Sequence, residues 1–404
     1  MRWQVTTFIL CTYGFLKSFR PTEPFLYQYE HETLNISEHV LNAEMLEIFY
    51  GWATATEIAY FAFIYVKVSK EHFRKATSLT RGAILLGSFL SYAIAQLIIL
   101  LKWGNYQTLN IISLTSVSLS LVFAIALPAV PWKSAYEKKM LLKDVTKPPE
   151  DKLFYKDYVI FHFKTFIEDL KGIYGNSVML KWSLWWALAT CGYLQIGNYT
   201  QTLWGTLIPP NASDIYNGLT EALCPLISLP AVLLVQHLRV DWSRWGELCL
   251  AVCSTLNGLL LLLLSQTNNL FVMYAGYIGY RLIYESMITI TQFNLAEGLV
   301  TASYGLVFGM NTFMALVMQS LLTLVVVSSV GFSLSIRPQF VVYSAYHFVV
   351  ASIFAVSLLL RNRRDVLNAY PADTVACDDQ PMLHSALSSS QTTKYRLTDP
   401  YPPR

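Results

Sequence analysis

Apolar residues along the 404-residue chain gather into runs near twenty long, separated by short polar stretches. A run of that length is what an α-helix needs to cross a hydrocarbon layer about 30 Å thick. The pattern predicts spans near 4–19, 46–67, 83–103, 108–130, 182–206, 217–238, 247–265, 270–292, 303–329 and 339–360. These are about ten helices, so the chain is expected to be an all-α integral membrane protein. A polar interruption at 131–181 divides them into a short first bundle (1–130) and a six-helix second bundle (182–364). A hydrophilic break between two helical halves is the layout of a two-bundle carrier. Inside it, "YKDYVIFHFKTFIEDLKGIYG" has apolar residues at helical spacing with charges between them. That stretch predicts an amphipathic helix on the inner membrane surface. The tail, 365–404, turns polar and is expected to be disordered.

Composition agrees with the pattern. With 54% hydrophobic and 14% charged residues and a mean hydropathy of +0.40, a soluble globular chain is excluded. The net charge of +3 matters less than its distribution. Lys67, Lys70, Arg74, Lys75 and Arg81 crowd what reads as one short loop, and nine lysines from Lys133 to Lys171 lie in the connection near 131–181. Arg239 and Arg244 occupy another loop, and Arg361, Arg363 and Arg364 follow the last span. The positive-inside bias puts those segments and both termini in the cytoplasm. The glycosylation sequons at Asn35 and Asn211 then fall outside, whereas the one at Asn198 lies within a span and is disregarded. Five of the six cysteines lie in apolar segments, which argues against a disulfide framework. No small-residue cleavage pattern precedes Arg20 and Pro21, so the first span reads as an uncleaved helix.

Sequence motifs for chemistry are few. There is no phosphate-cradling G-x-x-x-x-G-K-[ST], no H-E-x-x-H and no metal-spaced Cys/His cluster. Nothing calls for a cofactor, a metal or nucleic acid, and no nucleophile, base and orienter assemble into an enzyme site. The informative residues are polar groups inside spans, where they are expensive and usually face a bundle interior. Glu47, Tyr50, Thr54 and Glu57 follow helical spacing and share one face. That face either lines a cavity that meets a cation, or holds a wet interfacial acid (Glu47) and half of an ion pair (Glu57). Arg281 and Glu285, one turn apart, are expected to pair with each other. The stretch "WSLWWALATCGYLQIGNYTQTLW" (182–204) is dense in aromatics. Its tryptophans suit an interfacial belt, while Tyr193, Asn198 and Tyr199 sit deeper, with Asn198 offering both a donor and an acceptor. His347 reads as a packed polar side chain.

"RPTEPF" (20–25), "EIFYG" (47–51), "WSLWWA" (182–187), "IYNG" (215–218) and "LVFGMNTF" (306–313) together resemble the reduced folate and thiamine carrier family. The resemblance covers most of residues 1–365 apart from the cytoplasmic connection. It implies a major-facilitator fold, uptake of a water-soluble vitamin by alternating access, and residence in the plasma membrane. Folate carriers of the family place an arginine where this chain has Glu57 and a lysine where it has Gln319. Both departures resemble the thiamine carriers, and a cavity carboxylate suits a cation and penalises a dianion. By resemblance, Glu47, Tyr50 and Asn198 match positions that contact thiamine, and Glu23 matches the acid of the first-helix motif. Arg281 matches a basic position common to both branches. The resemblance leaves coupling to protons or to exchanged anions equally open. One departure is large: the family has about twelve spans, with two further helices between the Asn35 loop and the "FYG" helix. The readings are therefore a thiamine carrier, a folate carrier, or a non-transporting isoform that modulates a full-length carrier.

Overall fold

A computed structural model describes residues 3–25, 44–127, 155–207, 217–238, 240–299 and 304–369. The sequons at Asn35 and Asn211 and the tail beyond 369 lie outside the described residues. The side chains of 44–55, which include Glu47 and Tyr50, lie outside them as well.

The described residues are almost wholly helical. The helices are α1 (Trp3–Ser18), α2 (Glu44–Lys67), α3 (Phe73–Leu100), α4 (Tyr106–Ile125), α5 (Tyr155–Tyr174) and α6 (Ser177–Gly205). They continue with α7 (Asn217–Val235), α8 (Trp242–Gln266), α9 (Leu270–Gly298), α10 (Tyr304–Val326) and α11 (Ile336–Ala369). Each predicted span falls on one of these helices, and the amphipathic stretch is α5. Helices dominate because hydrocarbon offers backbone N–H and C=O groups no partner, so each segment must satisfy its own. Among the described residues, six helices are apolar enough over sufficient length to cross a membrane: α3, α4, α7, α8, α10 and α11. The helices that fall short include α6 and α9, and α9 carries Arg281 and Glu285 within its length. Several starts are capped by asparagine. Asn105 Oδ1 accepts from Thr108 N at 3.0 Å, Asn176 Oδ1 from Val178 N at 3.0 Å, and Asn269 Oδ1 from Phe271 N at 2.9 Å. α7 contains Pro225 and Pro230, which packed membrane helices tolerate because neighbours take up the freed carbonyls.

Met1–Leu358 form one compact unit, and the end of α11 belongs to a second, Leu359–Arg404. Within the first unit α3 lies against α1, α7 and α9, α10 against α6 and α2, and α4 against α1. Lipid tails are as apolar as leucine, so these contacts hold by close packing and interhelical polar bonds. Aromatic side chains supply much of that packing. Tyr65 meets Phe73 edge-on at 4.9 Å and Phe308 at 5.5 Å, and Trp204 stands edge-on to Tyr274 and Tyr277 at 4.9 and 5.3 Å.

One sequence reading needs correction here. The basic cluster after Lys67 is not all loop. Lys70 sits in a short 3-10 turn (Lys70–His72), but Arg74, Lys75 and Arg81 are already inside α3. Helical phase then carries Arg81 away from solvent and into the interior, where it is 14% exposed.

Candidate functional site

Two adjoining cavities occupy the interior, of about 350 and about 260 Å³. Glu57, Phe61, Arg81, Tyr193 and Tyr284 line both, so the two are compartments of one space. The larger is lined by four basic side chains (Lys17, Arg20, Arg81, Arg281) and four acidic ones (Glu23, Glu57, Glu221, Glu285). The smaller is mainly aromatic and aliphatic, with Trp186, Phe308, Ile288 and Leu316 added to the shared rings.

The charges are matched in pairs. A charge held away from water is stabilised only where an opposite charge or a set of hydrogen bonds replaces hydration. At the end of α1, Lys17 Nζ reaches Glu57 Oε2 on α2 at 3.4 Å. Arg20 Nη2 contacts Glu23 Oε1 at 2.9 Å, while Tyr92 OH donates to Glu23 Oε2 at 2.7 Å. The "EPF" motif is the 3-10 turn Glu23–Phe25; burial of Pro24 and Phe25 fixes the carboxylate's position. Arg81 Nη1 donates to Glu285 Oε2 at 3.1 Å and its Nε to Gln292 Oε1 at 2.8 Å, with its guanidinium 5.0 Å over the Phe61 ring. The expected pairing of Arg281 with Glu285 is therefore replaced. A residue one turn away on the same helix loses to the long guanidinium of α3, which approaches Glu285 across the helix interface.

Arg281 instead lies 4.7 Å over the ring of Tyr193, which stacks on Tyr284 with centroids 3.9 Å apart. Its Nη1 donates to Tyr277 OH at 3.3 Å, and Tyr277 OH donates to Glu221 Oε1 at 3.2 Å. The arrangement combines cation–π contact with a hydroxyl-relayed carboxylate. Arg281 Nε is buried without a hydrogen-bond partner, an unspent donor at the cavity wall.

Among the residues singled out from sequence, Glu23, Glu57 and Arg281 line the cavity together. Glu57 is the most open of the paired acids, 53% exposed. Asn198 is exposed and Gln319 half-buried, and neither is among the lining residues of the two cavities. Glu47 and Tyr50 lie on α2 toward its start, with side chains outside the description. Sequence reasoning missed Lys17, Arg81, Tyr92 and Glu221. A signal for Arg81 was present. Arg74 and Arg81 stand seven residues apart, as do Glu285 and Gln292, giving two facing rows of helical period. The upper rung of that ladder is Arg74, whose Nε and Nη2 donate to the Glu297 carboxylate at 2.9 and 3.1 Å.

A family model described as "Reduced folate carrier" matches residues 1–46 and 33–342. "Folate-like transporter 2" of Caenorhabditis elegans is 45% identical over 411 aligned positions, covering 88% of this chain and 96% of that one. Human "Thiamine transporter 1" is 32% identical, covering 90% of this chain and 92% of that one. The fold is that of the human organic anion transporter MFSD10 (TETRAN), whose crystal structure superposes with a TM-score of 0.53 at 10% identity. That superposition covers 89% of this chain and 83% of the other. In the 45% alignment this chain supplies about 356 residues to 411 positions, so about 55 positions face gaps, enough for two spans and a turn.

Proposed function

The chain belongs to the reduced folate carrier family, a group of membrane transporters, and from that premise we propose that it carries thiamine through the two-compartment cavity by alternating access. The observation that carries this reading is the self-neutralised cavity wall. Lys17, Arg20, Arg81 and Arg281 each face a carboxylate of the chain itself, directly or through Tyr277. A folate dianion would have to displace those carboxylates and then lie among them, at a Coulombic cost that grows as water is excluded. A thiazolium cation meets the opposite situation. Glu57 is half-exposed, its contact with Lys17 is long, and the aromatic side chains Phe61, Tyr193 and Tyr284 line the same space. The spare Nε–H of Arg281 is suited to a neutral acceptor, such as a pyrimidine nitrogen or the hydroxyl of the substrate. Glu47 and Tyr50, on the same helix at spacings that share the Glu57 face, extend this wall in the proposal.

Two observations favour folate as a second reading: the name of the 45% identical relative, and the presence of Lys17 and Arg281 as potential anion contacts. Parallel uptake of labelled thiamine and labelled folate into cells expressing the chain separates the two. Thiamine accumulation above empty cells, reduced tenfold or more by Glu57→Gln at equal surface expression, supports the thiamine reading. Folate accumulation without thiamine accumulation establishes the second one. Uptake of neither, with the chain at the surface, removes both and favours a modulatory isoform. In the proposed orientation, in the plasma membrane with both termini cytoplasmic, the basic ends of α2 and α3 face the cytoplasm.

A further inference from the structure

Outside the lining of both cavities, α8 carries Cys249 and Cys253 one helical turn apart on one face. Across the interface with α9, Cys249 Sγ lies 3.5 Å from Met287 Sδ. Two sulfurs from adjoining helices therefore meet at Cys249, and helical phase sets Cys253 beside them, one turn along α8. The two cysteines are half-buried, Cys249 and Cys253 pack against the main core cluster, and Met287 is a buried member of it.

Direct oxidation fits this spacing poorly. One turn of helix holds Cβ atoms about 5–6 Å apart, whereas a disulfide requires about 3.5–4.5 Å. A bridging ion has a longer reach. Bonds from thiolate sulfur to a borderline-soft ion are about 2.3 Å, which places neighbouring sulfurs roughly 4 Å apart around it. The Cys249–Met287 separation is close to that already. Thiolate and thioether donors select soft ions over the oxygen-seeking ones. The low dielectric of the span adds a charge condition, since two thiolates and a divalent ion make a neutral assembly whereas a monovalent ion leaves an uncompensated charge.

We propose that Cys249, Cys253 and Met287 form a binding site for a soft divalent cation, with two thiolates and one thioether as ligands. On binding, two S–H bonds break, two metal–sulfur bonds form, two protons leave, and the ion keeps its oxidation state. An occupied site fastens α8 to α9. α9 also carries Arg281 and Glu285, so occupancy reaches the helix that lines the cavity.

The test uses Cd(II) as probe on the purified full chain in detergent, with Cys11, Cys191, Cys224 and Cys377 replaced by serine. One equivalent of saturable binding, with sulfur-to-metal charge-transfer absorbance, is expected. Cys249→Ser and Cys253→Ser should each weaken it tenfold or more. Met287→Leu should retain binding but shift the ¹¹³Cd resonance, reporting the loss of one sulfur ligand. No saturable binding overturns the site, and an unchanged ¹¹³Cd shift in Met287→Leu overturns the three-sulfur assignment. Should the four-serine background aggregate, the wild-type chain is titrated against Cys249→Ser/Cys253→Ser. Loss of one equivalent then supports the site, and equal stoichiometry overturns it.

Discussion

Two helix seams flank the cavity, and they are built on different principles. Along the first, α3 meets α9 through a polar ladder: Arg74 with Glu297, then Arg81 with Gln292 and Glu285. Lys70 extends it by donating to the carbonyls of Glu297 and Leu299 at 3.3 and 3.0 Å. Along the second, α2 meets α10 through apolar and aromatic contacts, with Tyr65 packed against Tyr304 and Phe308 and two glycines of α10 opposite Ala62 and Ile58. A methyl group placed on Gly305 would lie 3.6 Å from Ala62 Cβ, and one on Gly309 would lie 3.8 Å from Ile58 Cγ2. Polar rungs have discrete partners and fix register. Apolar contacts are non-directional and tolerate small displacements better. The α3–α9 seam is therefore held in register by discrete polar partners, and the α2–α10 seam by apolar and aromatic contact.

The sharpest way to break this contrast is at its buried rung. Arg81→Ala leaves Glu285, 10% exposed, without its cation, and removal of one partner of a buried pair costs about 3–5 kcal/mol. A large fall in surface expression and in detergent melting temperature is expected. The double variant Arg81→Met/Glu285→Leu should recover much of the stability, because no orphaned charge is left, yet not transport. Failure of the double change to recover stability would count against a pairwise role.

Glu57→Gln comes next. The side chain is half-exposed and its partner distant, so folding should be unaffected while thiamine uptake falls at least tenfold. Smaller again is Arg74→Ala. Its pair with Glu297 is about one-third exposed, so stability should drop by no more than about 1 kcal/mol. The transport rate should change more than the melting temperature, and the wild-type rate should be salt-sensitive where the variant's is not. Gly305→Ala, on the apolar seam with ordinary contact distance to Ala62, should be close to neutral in both measurements. A severe defect there would mean that the α2–α10 seam is as exacting as the other.

Much of this architecture was legible because long apolar runs leave few alternatives to spanning helices. The place of Glu57 in the interior was legible too, since a carboxylate inside such a run has few inexpensive explanations. What escaped was pairing across helices. Arg81 reads as a loop residue when helix ends are taken from hydropathy alone, because the charged first turns of α3 dilute the apolar average. Glu285 reads as the partner of Arg281 when only one helix is considered. A guanidinium reaches several ångströms beyond its backbone, so tertiary neighbours outbid sequence neighbours. Glu221 gave no signal, as it stands early in α7 where an interfacial acid is unremarkable; only the Tyr277 relay reveals its part. Arg281 was found, but its tyrosine sandwich with Tyr193 and Tyr277 was not, since aromatic residues are common throughout the spans.

A self-neutralised cavity of this kind is expected to recognise a cation through Glu57. Equilibrium binding of labelled thiamine to the purified chain, with unlabelled folate as competitor and with Glu57→Gln alongside, tests it most directly. Saturable thiamine binding, little displacement by folate, and at least tenfold weaker binding by the variant are expected. Folate displacing thiamine at equal or lower concentration, or Glu57→Gln binding as tightly as the wild type, would contradict it.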